Sequence, residues 1–151
     1  MKGYWNRPEE TAAAIRDGWM HTGGAGTLDD EGYLYIKDRI KDMIVSGGEN
    51  VYPKTVETVL FTHSDIADVA VIGVPHEKWG ETVKAEVVLR NGSSVSEEDL
   101  IEYCRDKMGG FERPSSVDFV EELPRNAGGK VLKRELREPY WKGHGRRVAG
   151  S

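Results

Sequence analysis

Behind Pro53, apolar side chains recur at Val56, Val59 and Leu60. That i, i+3, i+4 spacing predicts a short amphipathic helix over residues 53–62. Proline suits its first turn, where a missing N–H costs nothing. Further on the period falls to two: Val83, Ala85, Val87 and Leu89 on one face, Thr82, Lys84 and Glu86 on the other. A strand with one apolar and one wet face favours a mainly antiparallel sheet. Asp68 to Val74 is rich in β-branched residues and predicts a buried strand that leaves through Gly73-Val74-Pro75. Leu100, Cys104 and Met108 mark one helical face, opened by Ser96-Glu97-Glu98-Asp99 as a capping-box-like start and ended by Gly109-Gly110. Ser116 to Val120 alternates as a third strand, and Lys130 to Arg137 is charged and helical in part.

Two stretches lie ahead of this. Residues 1–37 hold turn signals without a closed apolar pattern: a short helix after Pro8, a strand start at Trp19-Met20, a polar turn at Asp29 to Gly32, and a strand at Tyr33 to Ile36. This reads as the edge of something larger. Then Met43 to Ser46 is apolar, Gly47-Gly48 follows, and Glu49-Asn50-Val51-Tyr52-Pro53 leads into the helix. The local reading is strand, tight glycine loop, strand, helix, with Glu49-Asn50 at the hairpin tip because Asn tolerates left-handed geometry. The fold class is α+β: a small, mainly antiparallel sheet flanked by two or three helices, preceded by a strand-rich remnant.

Composition narrows the function classes. A chain of 151 residues suits one domain, or one plus a fragment. The formal net charge is −5 with acids and bases mixed, which argues against nucleic-acid binding, since neutralising phosphates needs a clustered basic face. The basic, glycine-rich end from Lys142 to Arg147 reads as a flexible tail. The single cysteine, Cys104, excludes an intrachain disulfide and a zinc ribbon and reads as a core hydrophobe, compatible with a reducing cytosol. No apolar run approaches the roughly 18–20 residues of a membrane span, and no basic-then-apolar leader suggests secretion. His21, His63, His76 and His144 are scattered without ligand spacing, so no metal site is expected.

One stretch draws the motifs together: Asp38-Arg39-Ile40-Lys41-Asp42, then Met43-Ile44-Val45-Ser46-Gly47-Gly48-Glu49-Asn50-Val51-Tyr52-Pro53. It resembles the hinge and following loop of the acyl-adenylate-forming enzymes, which include acyl-CoA synthetases, luciferases and peptide-synthetase adenylation domains. Tyr4 to Thr11, Asp17-Gly18-Trp19, His21-Thr22-Gly23 and Pro124-Arg125-Asn126 through Gly129-Lys130 fall in that family's order and spacing. The resemblance covers about residues 3–140 and is nearest to long-chain fatty-acyl-CoA synthetases. It implies that residues 1–40 end a large N-terminal AMP-binding domain, that 41–138 form a C-terminal lid, and that 139–151 are a flexible tail.

The same resemblance implies roles. Lys130 matches the catalytic lysine that activates the acid and ATP; as a residue alone it reads more plainly as a solvated lysine in a mobile turn after Gly128-Gly129. It is not a Walker loop, because Val131 follows instead of Ser or Thr. Arg39 matches an arginine on the nucleotide ribose, and Lys41 the hinge about which the lid swings. The plainer account of Asp38, Arg39, Lys41 and Asp42 is a solvated charge run. Gly47 and Gly48 match the loop bordering the pantetheine arm. Trp79, Phe111 and Arg113 match positions that contact coenzyme A, where an aromatic plus a charged fork is a plausible grip for adenine and phosphate. Rim packing and a surface ion pair are their plainer accounts.

In one place the pattern breaks. The family expects Thr-Gly-Asp, the aspartate accepting from both ribose hydroxyls; here the run is Thr22-Gly23-Gly24. The implied reaction is ATP-dependent ligation of a fatty acid to coenzyme A, with Mg2+, in which this chain would need a missing N-terminal domain or a homologous body as partner. The expectation is therefore a cytoplasmic protein, membrane-peripheral at most as part of the whole enzyme, that does not turn over alone. The competing reading is a non-catalytic module of the same fold that binds coenzyme A or a partner.

Overall fold

The computed structural model describes residues 1–144. Residues 145–151, part of the expected flexible tail, lie outside them. The leading segment has α1 (Pro8–Ala14), with no buried residue, then a short hairpin of β1 (Ile15–Arg16) and β2 (Trp19–Met20). A second hairpin pairs β3 (Gly24–Leu28) with β4 (Leu34–Arg39). Trp5, Trp19, Leu28 and Ile36 are exposed in this segment. A single 3-10 turn, Ile40–Asp42, leads out of β4.

The core begins at β5 (Ile44–Ser46) and β6 (Glu49–Val51), which pair antiparallel and lead into α2 (Pro53–Leu60). The hairpin tip is Gly47-Gly48, with φ of +60° and +92°; Glu49 and Asn50 lie in β6 instead of at the tip. Two consecutive residues at positive φ are what a two-residue hairpin turn of matching twist demands, and glycine meets that demand without a Cβ penalty. Helix α2 buries Pro53, Val56 and Leu60, as its spacing predicts. The long hairpin β7 (Ile66–His76) and β8 (Gly80–Leu89) runs antiparallel from Ile66↔Leu89 to His76↔Gly80.

The sheet order is β6-β5-β8-β7, and β9 (Ser116–Phe119) pairs parallel with β8. The remaining elements are α3 (Glu97–Tyr103) and α4 (Lys133–Trp141). Ser96 caps α3 with a reciprocal bond to Asp99. That helix stops at Tyr103, short of Gly109-Gly110; Cys104 is buried and Met108 packs on the core from the turns that follow. Ile44, Val56, Val71, Val83, Val87 and Leu100 lie at the centre of the core. The mainly antiparallel α+β architecture is thus the one the periodicities predict.

The expected wet face of β8 is covered. Lys84 and Glu86 are only 7% and 4% exposed. Helix α4 lies over this face, and residues 139–141, expected to begin a flexible tail, are part of it. Trp141 Nε1 donates to Gly73 O at 2.9 Å. The Tyr140 hydroxyl donates to Asp118 Oδ2 at 2.7 Å and also stands 3.1 Å from Glu86 Oε1. Lys84 Nζ pairs with Asp118 Oδ1 at 2.7 Å. Burial raises the Glu86 pKa, against the pull of Tyr140. Burial also pushes Asp118 up, but the hydrogen bonds from Lys84 and Tyr140 outweigh it and hold that carboxyl below its ordinary value. Alternation alone cannot separate a wet face from one covered by a polar network.

This network sets a pH-dependent expectation. Lys84→Met leaves Glu86 and Asp118 facing each other without a cation. The loss should be about 2–3 kcal/mol near neutral pH, reduced from that of a fully buried pair because Asp118 is partly exposed. Asp118, with its folded pKa depressed, contributes stability above its unfolded value that is lost as pH falls through the folded one. Glu86, with its folded pKa raised, has an ionisation penalty that fades as pH falls. The difference between Lys84→Met and the parent should therefore shrink from pH 7 to pH 4 in urea denaturation.

Candidate functional site

The candidate residues fall into two groups. The first lines a groove of about 340 Å3 between the 3-10 turn, α2 and the start of α4, and holds Arg39, Lys41 and Lys130. Arg39 ends β4 and Lys41 sits in the turn after it. The acids of this stretch are structural instead of solvated. Asp38 Oδ1 accepts from Arg39 N at 2.7 Å, and Oδ2 accepts from Lys54 N at 2.8 Å, so one carboxylate fastens β4 to the first turn of α2. Asp42 pairs with Arg137 Nη2 at 3.2 Å, both side chains largely buried, and Lys133 pairs with Glu57 at 2.7 Å.

Lys130 is exposed on the groove wall, and among the described residues its ammonium has no ion-pair or hydrogen-bond partner. Its backbone is held. Asn126 N donates to Lys130 O at 3.0 Å, and Lys130 N donates to Asn126 Oδ1 at 3.0 Å. The turn expected to be mobile holds these two bonds between Asn126 and the Lys130 backbone.

The second group lines a groove of about 540 Å3 and holds Gly47, Trp79, Phe111 and Arg113. Gly48 does not line it. Gly47 N donates to Trp79 O at 2.9 Å, and a Cβ placed on Gly47 would stand 2.9 Å from Trp79 Cε3. The indole therefore lies on bare glycine backbone. The loop of Trp79 is shaped by His76, whose Nδ1 accepts from Lys78 N and Trp79 N at 3.2 Å each. Trp79 and Phe111 are about half exposed, and Lys78 Nζ stands 4.5 Å from the centroid of the Trp79 ring.

This contact separates the two glycines experimentally. Each is at positive φ, where an L residue is strained by about 1–2 kcal/mol. A Cβ on Gly48 meets nothing within 4 Å, whereas one on Gly47 strikes the indole. Gly47→Ala should lower thermal stability more than Gly48→Ala, and only Gly47→Ala should change tryptophan fluorescence.

Sequence reasoning missed the side chains that brace the first groove. Lys133 and Arg137 are spaced i, i+4 on one face of α4, a visible signal, but apolar patterning passes over a helix that docks through cations. No group of three or more His, Cys, Asp or Glu side chains among the described residues is placed to hold a metal ion, and no helix among them is long and apolar enough to cross a membrane.

The small α+β unit thus carries Lys130, unpaired among the described residues, on one groove and a glycine–aromatic wall on another. The chain belongs to the AMP-binding enzyme C-terminal domain family, whose model matches residues 55–130. Among curated relatives, a long-chain-fatty-acid–CoA ligase of Mycobacterium tuberculosis is 52% identical over 140 residues, 93% of this chain and 28% of that one. The chain thus spans under a third of that relative's length. Among solved structures, ATP-bound MatB from Rhodopseudomonas palustris is 41% identical with a TM-score of 0.84, covering 95% of this chain and 29% of the other. Apo MatB, at the same identity and coverage, gives 0.70.

Proposed function

We propose that the chain is the C-terminal lid of an ATP-dependent fatty acid–CoA ligase and is inactive without an N-terminal body. The reading rests on one observation: among the described residues the Lys130 ammonium is unpaired, and it is exposed on the same groove as Arg39 and Lys41. As a carboxylate attacks the α-phosphorus of ATP, negative charge gathers on the α-phosphate oxygens and on the departing pyrophosphate. A cation held at that point stabilises it more than the ground state. Pyrophosphate leaves, and the acyl-adenylate remains. Mg2+ would arrive with the phosphates of ATP. In the second half-reaction the thiol of coenzyme A attacks the acyl carbon and AMP departs. The groove of Gly47, Trp79, Phe111 and Arg113 would take the coenzyme: glycine for close approach of the pantetheine arm, the rings for adenine, the guanidinium for phosphate.

The proposed division of the chain puts the end of the AMP-binding body at residues 1–40, the hinge at Lys41 and the lid beyond it. At equal identity and coverage the TM-score is 0.84 against ATP-bound MatB and 0.70 against apo MatB, which favours an ATP-bound form as the better likeness. Gly24 favours the second reading, a module that binds coenzyme A or a partner without catalysis, because an acceptor for the ribose is lost there. Mixing the chain with a separately produced ligase body lacking its own lid tests both. Restored acid-dependent pyrophosphate release supports the ligase reading; coenzyme A binding without any release supports the module.

A further inference from the structure

The turn that presents Lys130 carries several hydrogen bonds, while among the described residues the lysine's ammonium is unpaired. Arg125 and Val131 pair across its base as an antiparallel bridge. Gly129 N donates to Asn126 O at 2.9 Å, and the Asn126 side-chain oxygen accepts from both Gly128 N and Lys130 N at 3.0 Å. Arg125 then reaches in two directions. Its Nη1 donates to Gly129 O, the carbonyl adjoining Lys130, and its Nη2 is ion-paired with Asp68 near the start of β7. The Arg125 and Asp68 side chains are 42% and 32% exposed, and a pair this wet contributes little to stability. Its effect is geometric: a planar fork that holds one carbonyl and one carboxylate fixes the angle between them.

We propose that Asp68, Arg125 and Asn126 are positioning residues that fix the backbone under Lys130 to the sheet, so that a flexible side chain is delivered from a rigid base. This rests on the reading of Lys130 as the adenylation lysine. A lysine has four rotatable bonds and a compact charge, so its usefulness depends on where its Cα is held. Asn126 sets the local shape of the turn. The Arg125–Asp68 link carries that shape to β7, whose other end, at His76, shapes the Trp79 loop. One strand therefore supports the elements facing both grooves.

Two measurements test this. In the 151-residue chain, amide hydrogen exchange is read by NMR. Asn126→Ala should speed exchange at Gly128 and Lys130 about tenfold or more, with Val71 and Val87 amides unchanged. In the chain joined to the ligase body, Asp68→Asn and Asn126→Ala should each lower kcat for pyrophosphate release about ten- to a hundredfold. KM for ATP should stay within about twofold, and supplied acyl-adenylate should still be converted to acyl-CoA. Asp68→Glu should recover much of the rate. Thr62→Val, which removes a bond to Tyr103 far along the chain, should leave kcat unaltered. Unchanged Lys130 exchange in Asn126→Ala, or equal loss in both half-reactions, overturns the proposal. If Lys130→Ala itself leaves pyrophosphate release intact, it is the reading of the lysine that fails, and the exchange rates alone decide whether these residues hold the turn.

Discussion

Lys130→Ala, in the chain joined to a complete ligase body, is expected to reduce acid-dependent pyrophosphate release about 100- to 1,000-fold. That is the scale of removing one preorganised charge-stabilising group. The side chain is exposed and unpaired among the described residues, so its loss leaves no buried partner stranded and should change stability by under about 0.5 kcal/mol. Activity and stability are thus separable in this variant. Conversion of supplied acyl-adenylate to acyl-CoA should be retained, because Gly47, Trp79, Phe111 and Arg113, proposed to hold coenzyme A, line the other groove. An equal drop in both half-reactions would sink the assignment.

Gly24→Asp should act in the opposite direction. Gly24 lies in β3 opposite Arg39, and its φ is outside the left-handed region. A Cβ added there meets Thr22 Oγ1 at 3.5 Å and Asp38 O at 3.9 Å, both ordinary contacts. An aspartate therefore fits without strain and places a carboxylate beside the strand that ends at Arg39. Two charge-assisted hydrogen bonds to ribose hydroxyls, at roughly 1.5–3 kcal/mol each, would lower KM for ATP about 100-fold or more in the joined enzyme. An unchanged KM would mean that position 24 does not face the nucleotide.

Much of the fold was legible because its signals are local. Pro53 with Val56 and Leu60 marks α2, Ser96 with Asp99 opens α3, and the alternation of Val83, Ala85 and Val87 gives the inward face of β8. Boundaries were less so. Tyr103 ends α3 although the apolar spacing continues to Met108, because turns can present the same side to the core. The hairpin tip fell on Gly47-Gly48 because two adjacent positive φ angles were needed there, and glycine meets that need better than asparagine.

The candidate residues were read from a resemblance, and their grouping was not in the sequence. Nothing along the chain says that Arg39 and Lys130 share one groove or that Gly47 backs the Trp79 indole. Asp68 meets Arg125 across 57 positions, and Arg137 reaches the carbonyl of Lys41 across 96.

By itself the sequence determined helix α2, the start of α3, strands β7, β8 and β9 and their apolar faces, since period, caps and proline act within a few residues, but not β3 (Gly24–Leu28), where no apolar pattern marks a strand. Only the tertiary structure decided that Lys84 and Glu86 are buried, that Asp38 and Asp42 are fastened, and that the Lys130 turn is bonded while, among the described residues, its ammonium stays unpaired. Those outcomes depend on which distant charge arrives opposite each side chain, and charge pairing, unlike hydrophobic periodicity, leaves no repeat along the chain to read.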